Sequence, residues 1–458
     1  MQRFKQDVET FVDERPLGGF QWLVVGFGFL IIALDGFDIA VMAFAAPDLL
    51  TKWGIERSDL GPVMSAALIG LAISAMFAGP LADRFGRKKV LCAAVFIFGS
   101  MTLMTAFATD LTTLMVLRFI TGLGLGAAMP NAGTLVAEYV PAKYRSLLIT
   151  VAFCGFTLGA SLGGFVSAWV IPAYGWEGLM VLGGVLPLVT LPLMVWKMPE
   201  SVKLLLLREG FSARARRVAL RLAPELKGRE FELVAPSCDQ GVEVERALKR
   251  SPLKMITSSP FMVGTLSMWV VYFAGLFLVY LLGSWLPLMV EDMGFTVAQA
   301  AFIASFFQLG GTVGSVFWGW CMDRLEPNLV LCFGYGLGGA LVISIGLTSG
   351  GFIAMCALAA LVGFCFSGSN TGMNALANAF YPTAVRSTGA SLMHGVGRLG
   401  AISSAFIGAT LLASSISMQA IFICLSIPAL VASVALLVKS IDARRRDSVK
   451  QRSGLSTS

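Results

Sequence analysis

The sequence predicts an all-α polytopic membrane protein, with twelve transmembrane helices arranged as two parallel six-helix repeats. Three observations predict it: apolar runs of spanning length, a one-sided distribution of Lys and Arg, and landmarks that recur at a fixed offset along the chain.

Hydrophobic residues make up 56% of the 458-residue chain and charged residues only 13%. That balance lies outside the range of soluble globular domains. A helix needs about 20 mostly apolar residues to cross a bilayer core. Twelve such runs begin near Phe20, Asp59, Val90, Leu111, Ser146, Trp176, Phe261, Val297, Asn328, Phe352, Ser387 and Ser417. They are too long for tilted barrel strands and lack the alternation of a membrane β-barrel. Helices satisfy their own backbone hydrogen bonds, as lipid demands. The first run has no small-residue cleavage pattern and reads as a retained span.

A formal net charge of +7 raises nucleic acid as a partner, and the placement of the charge excludes it. With the N-terminus in the cytoplasm, the alternating crossings put nearly every Lys and Arg on the cytoplasmic side. These are Arg84, Arg87, Lys88, Lys89, Lys143, Arg145, a dense set between Lys197 and Lys254, and Arg444, Arg445 and Arg446. Only Lys52 and Arg57 fall on the other side. That is the positive-inside pattern, with both termini cytoplasmic. The eight cysteines have no metal or redox spacing and read as small apolar fillers. One histidine and no nucleophile–base or metal cluster argue against an enzyme, and no cofactor is expected.

The internal repeat is direct. Pro47, Gly54, Gly70, Gly79, Asp83 and Arg84 recur 240 positions later as Pro287, Gly294, Gly310, Gly319, Asp323 and Arg324. After one inserted residue, Pro141, Arg145 and Ser146 recur as Pro382, Arg386 and Ser387. The expected organisation is a six-helix bundle over 1–197, a cytoplasmic linker over 198–259, a second bundle over 260–440 and a cytoplasmic tail over 441–458. Linker stretch "ARARRVALRLA" reads either as a helix on the anionic leaflet or as a solvated connection. Parallel repeats of this kind form transporters, with a binding site near mid-membrane at the repeat interface.

Polar groups inside the spans are the candidates for chemistry. Asp35 and Asp38, in "ALDGFDIAVM", are three apart and share a helix face. A charged side chain at the centre of a span costs about 2.5–3.5 kcal/mol on insertion scales. Two nearby carboxylates in low dielectric resist joint ionisation, so the pair is a candidate proton carrier that titrates as a unit. Asp35 is the stronger candidate, because Asp38 lies nearer the periplasmic end; pairing of one aspartate with a neighbouring helix is the purely structural alternative. Gly36 lets another helix or a substrate approach closely.

The repeat separates scaffold from function. Asp35 and Asp38 match Gly275 and Leu278, His394 and Arg398 match Phe153 and Thr157, and Arg118 matches Ala359. Features present in one half only are not needed for the shared fold. Arg398 stays protonated and needs an anion in the membrane, either a carboxylate substrate or a first-half aspartate. His394, four residues earlier, relays protons or plays a structural part. Arg118 needs an acid partner, and Glu138 with Arg145 reads as gate or loop structure near the cytoplasmic surface. An aromatic slot is expected from Phe37, Trp285, Tyr280, Phe306 and Phe307, with Asn131, Gln308, Asn370 and Asn374 as polar hooks. Asn374 and Asn378, four apart, are the better hooks, because an amide in lipid wants a partner.

Several motifs match a known family. "GPLADRFGRKK" (79–89), "RFITGLGLGAA" (118–128) and "PES" (199–201) resemble the loop, fourth-span and post-sixth-span motifs of the major facilitator superfamily. The second-half copy, "GWCMDRLEP", lacks the later Gly-Arg pair. The fifth span, "GFTLGASLGG", lacks the glycine-proline pair of many antiporters, which favours a symporter or uniporter. The "DGFD" run, with the arginine of the eleventh span, resembles the aromatic acid:proton symporters, which take up hydroxybenzoates, benzoate and protocatechuate.

The resemblance implies that Arg118 takes part in proton coupling with Asp35, Asp38 and Glu138. It implies that Asp83 and Arg87, with Arg84, form a cytoplasmic latch that Asp323 and Arg386 repeat in the second half. The function implied is proton-coupled import of a small aromatic carboxylate, for aromatic catabolism, across a bacterial inner membrane. The expected partners are that carboxylate, protons and the lipid bilayer, with the chain acting as a monomer. A symporter for muconate or a dicarboxylate is the alternative in the same fold. A non-transporting sensor of aromatic acids is the alternative of another class.

Overall fold

A computed structural model of the chain describes residues 4–227, 231–234, 261–348, 350–381, 383–414 and 416–452. The rest of the expected linker, including Pro236, Pro252 and Pro260, lies outside the described residues. Fourteen α-helices, a 3-10 turn and two short strands are present among the described residues.

In chain order these are β1 (Phe4–Asp7), α1 (Val8–Asp13), α2 (Gly19–Trp53), α3 (Arg57–Phe85), α4 (Arg87–Thr105), α5 (Leu111–Tyr139) and α6 (Ala142–Lys197). Then come α7 (Val202–Glu209), α8 (Ala213–Leu222), the turn Pro224–Leu226 and β2 (Phe231–Val234). The second half holds α9 (Met262–Asp292), α10 (Val297–Met322), α11 (Pro327–Leu347), α12 (Phe352–Phe380), α13 (Thr383–Ala413) and α14 (Met418–Arg452).

Eleven of these helices are long and apolar enough to cross a membrane. The 56 residues of α6 would extend about 84 Å, far more than one crossing needs. Gly175 breaks it at φ 69°, a conformation that costs glycine little. The break falls between the runs beginning near Ser146 and Trp176, so eleven helices make the twelve crossings read from the sequence.

Local signals set the helix starts. Asp110 caps α5 by accepting from Thr113 N at 2.8 Å. Thr296 and Gln299 form a reciprocal capping box at α10. Glu326 caps α11, with Pro327 in its first turn.

The chain divides into two compact units. One comprises 1–45, 66–163 and 170–240; the other comprises 46–65, 164–169 and 241–458. The described linker residues, 198–227 and 231–234, therefore belong with the first unit. In that unit β1 and β2 pair in parallel, Phe4 opposite Phe231 and Asp7 opposite Val234. Phe231 stacks on Phe11 and meets Phe211 edge-on. Helix α8 forms from the basic stretch, but it is not a bare surface helix. Ala215, Ala219 and Leu222 bury its apolar face in a core shared with Phe98, Tyr139 and Leu205, leaving the arginines outside. The hydrogen bond from Lys203 Nζ, at 2.7 Å, holds the Glu9 carboxyl below the usual carboxylate range.

Close helix contacts in the same unit are made through glycine. A Cβ on Gly36 would collide with the Phe156 carbonyl, and one on Gly159 with the Ala33 carbonyl. What approaches at Gly36 is therefore α6, backbone to backbone. In the second unit, the two cations expected opposite the basic face are both paired. Lys52 lies 3.3 Å from Asp48, and Arg57 forms a two-pronged ion pair with Asp292 at the end of α9. Helix α14 continues through the expected tail to Arg452.

Candidate functional site

Among the described residues, each unit carries an arginine-bearing polar cluster within its spans. In the first unit, α2 supplies Asp35 and Asp38, both 1% exposed, so neither faces outward. Helix α5 brings Arg118, equally buried, with its Nη1 3.3 Å from Asp38 Oδ2. Helix α4 supplies Thr102, which donates its hydroxyl to the other Asp38 oxygen and accepts from Arg118 Nη2 at 2.9 Å. Thr105 and Thr121 accept from the same Nη2 at 3.4 and 3.5 Å.

Burying two ions costs several kcal/mol each, and their attraction repays this only with good geometry and further hydrogen bonds. The threonines supply bonds at Nη2, while Arg118 Nε has no hydrogen-bond partner among the described residues. The pair itself is a single-point contact rather than a two-pronged fork. Asp38, placed second on depth in the sequence, is the aspartate that holds Arg118. The threonines were not legible, because hydroxyls in spans usually bond their own backbone four residues back, as Thr105 and Thr121 also do.

At the end of this unit that carries the "GPLADRFGRKK" loop, Arg87 bridges two carboxylates. Its Nε is 2.9 Å from Glu138 Oε1 and its Nη2 is 3.5 Å from Asp83 Oδ1. Glu138 pairs with Arg87, and Arg145 lies 3.6 Å from Asp13. Arg87 opens α4 beside the last turn of α5, whereas Arg145 faces the N-terminal helix α1.

Glu200 of "PES" completes the loop. Its Oε1 accepts from the backbone of Lys88 at 3.1 Å, placing a carboxylate at the N-terminus of α4, where the helix dipole favours it. Ser201 caps α7, and Arg208 donates to the Asp83 carbonyl. Arg84 is exposed and lies over the Phe85 ring. The second half does not duplicate this set. Asp323 ends α10 without an ion pair among the described residues, and the Arg386 side chain lies outside them. The loop there lacks the later Gly-Arg pair, so no arginine opens α11. Glu326 instead bonds Asn328 and Ser440, with Lys439 on Asn328 Oδ1 at 2.7 Å.

In the second unit, Tyr272 of α9 lies 3.0 Å from His394 Nδ1 and 3.4 Å from Asn374 Oδ1, with its ring edge-on to the imidazole. Arg398, one turn beyond His394 on α13, donates to the Tyr280 hydroxyl at 3.4 Å. No carboxylate pairs with Arg398 among the described residues. A guanidinium has five N–H donors in a planar fork, so most of this one remains open to an anion. Tyr272, unnoticed in the sequence, stands directly opposite the lone histidine.

Several expected slot residues make packing contacts. Asn131 donates to the Ala127 and Ala78 carbonyls, tying α5 to α3. The Phe37 ring sits against Gly163 and Gly183, and the Trp285 ring against Gly408. Gln308 is buried on α10, and the Asn378 side chain lies outside the described residues.

The sequence pattern of the Major Facilitator Superfamily matches residues 28–353 and 268–457. The 4-hydroxybenzoate transporter PcaK of Pseudomonas putida is 46% identical over 95% of this chain and 96% of its own length. A gallate transporter of Pseudomonas putida is 45% identical over 94% of each, and the benzoate transport protein of Acinetobacter baylyi 30% identical over 94% and 92%. Among solved structures, the inward open xylose transporter XylE of E. coli superposes with a TM-score of 0.68 at 16% identity, covering 91% of this chain and 96% of that one. That likeness is one of fold. The chain belongs to the Major Facilitator Superfamily, in the family of these aromatic acid transporters.

Proposed function

We propose that the protein imports a small aromatic carboxylate of the hydroxybenzoate class with protons, by alternating access, across a bacterial cytoplasmic membrane, with both termini inside. One observation carries this reading: the two intramembrane arginines are treated oppositely. Arg118 already has its carboxylate, Asp38, whereas Arg398 meets a tyrosine hydroxyl and no carboxylate among the described residues. A permanent cation held open in a span is a receptor for an anion that arrives and leaves. The names of the relatives, which carry 4-hydroxybenzoate, gallate and benzoate, say what kind of anion.

In this reading the substrate carboxylate takes the open fork of Arg398. The proton is taken by Asp38, whose single-point contact with Arg118 breaks more readily than a fork, with Asp35 one turn away as the exchange partner. Thr102 keeps a hydrogen bond to Asp38 whether the carboxyl is charged or neutral. Arg87, with Asp83, Glu138 and Glu200, latches the cytoplasmic ends of α3, α4 and α5 in one access state. The Lys- and Arg-rich loops support a cytoplasmic position for that latch. In this reading a single chain, which holds both clusters, is the working unit.

Counterflow tests the substrate class. In proteoliposomes preloaded with 4-hydroxybenzoate, labelled 4-hydroxybenzoate is expected to exchange, with gallate and benzoate competing and muconate and succinate failing to compete. Competition by muconate or succinate alone would replace the reading with the non-aromatic symporter. Saturable binding without exchange would replace it with a sensor.

A further inference from the structure

Two stretches of the first repeat group with the second repeat: 46–65, which ends α2 and begins α3, and 164–169, in the first span of α6. The helices alternate in direction, so both stretches lie near the helix ends opposite the "GPLADRFGRKK" loop. Three contacts hold them, all within the second unit. Arg57, the first residue of α3, makes its two-pronged ion pair with Asp292, the last residue of α9. One turn further on, a Cβ added to Gly61 would come within 2.9 Å of the Ala409 Cβ, so α3 and α13 meet closely. Phe165 of α6 lies against Phe302 and Phe306 of α10, with ring centroids 5.4 and 5.8 Å apart.

These contacts divide the work. The phenylalanine rings and the Gly61 crossing are apolar and closely packed, which excludes water. The ion pair keeps 34% and 20% of its two side chains exposed, so separated charges return to water at small cost. Its fork forms only when the ends of α3 and α9 meet in one arrangement. The repeat shows that the pair is not scaffold. At the offset of 240, Asp292 matches Lys52 and Arg57 matches Val297. The equivalent contact would join Lys52 to Val297, which cannot form an ion pair, and Lys52 meets Asp48 of its own helix.

We infer that Arg57 and Asp292 are the charge lock of a clamp that shuts this end of the protein, and that the lock breaks each time this end opens during transport. The lock biases a two-state equilibrium: it exists only in the shut arrangement, so it favours that arrangement by the worth of the pair. The apolar contacts seal the clamp, and the ion pair fixes where α3 and α9 stop. Opening in every cycle rests on the alternating-access reading above. The clamp itself does not depend on what is carried.

The test reads opening without substrate. Ala409 is buried, so Ala409→Cys, in a protein whose eight native cysteines are replaced by alanine, places a thiol behind the lock. Its reaction with N-ethylmaleimide is timed in nanodiscs, where both faces are accessible, after each protein's melting temperature is checked. Labelling is expected to be slow with the lock intact and about fivefold faster with Arg57→Gln or Asp292→Asn added. The exchanged pair Arg57→Asp/Asp292→Arg is expected to slow it again. Labelling unmoved by Arg57→Gln and by Asp292→Asn, which changes shape least, overturns the lock. The second arm joins Arg57→Cys to Asp292→Cys with a short bismaleimide in proteoliposomes, in the same cysteine-free background. Exchange of labelled 4-hydroxybenzoate is expected to stop on joining. Exchange that continues overturns opening of the clamp in the cycle. A wild type that exchanges no 4-hydroxybenzoate overturns the carrier reading instead and leaves the labelling result standing.

Discussion

Asp38→Asn is expected to abolish accumulation of aromatic acid against its gradient. With one proton carried per substrate, a pH difference of one unit supports about tenfold accumulation. Without the proton site the ratio falls to one. The variant also strands Arg118, because asparagine keeps the bond to Thr102 but gives the guanidinium no charge to meet. Breaking a buried pair from one side costs about 3–5 kcal/mol. Much of that cost should show as a lower melting temperature, which on its own could be mistaken for the cause of lost transport. The double variant Asp38→Asn/Arg118→Gln separates the two effects. Removing both charges is expected to restore thermal stability and to leave accumulation at one. Recovery of accumulation in the double variant would show that Asp38 serves structure alone.

Arg398→Ala is the second large effect. A charge-assisted hydrogen bond is worth about 1.5–3 kcal/mol, and a carboxylate seated on the open fork forms two. The KM for 4-hydroxybenzoate is therefore expected to rise at least about a hundredfold. Arg398→Lys keeps the charge and loses the planar fork, so its KM should lie between those of the wild type and Arg398→Ala. Thermal stability should change little in either, because no protein carboxylate on Arg398 is left unpaired among the described residues. Equal KM values in the wild type and Arg398→Ala would move the anion site elsewhere.

Much of the scaffold was legible because bilayer physics leaves few choices. Apolar length, charge placement and the repeat gave every crossing, including the one that the helix geometry merges across Gly175. Both arginines within the spans were legible because a cation in a span has to be answered. What answers them was harder to see. Thr102 and Tyr272 belong to residue types common in spans, and nothing in the linear sequence distinguishes a hydroxyl that meets a charge from one that bonds its own helix. The role of Glu200 was hidden for a different reason: it lies 112 residues from the Lys88 amide it receives. Phe37 and Trp285 are slot residues by type, and the glycines against their ring edges could not be read from the linear sequence.

Proton movement can be read directly. In proteoliposomes carrying a pH-sensitive dye, with no gradient imposed, adding 4-hydroxybenzoate outside should acidify the lumen in step with uptake of the label. Protein-free vesicles, in which the neutral acid leaks slowly, set the baseline. The wild type is expected to rise well above that baseline and Asp38→Asn to stay on it. Wild-type uptake with no acidification, or undiminished acidification in Asp38→Asn, would contradict a carrier in which the buried carboxylate beside Arg118 moves the proton.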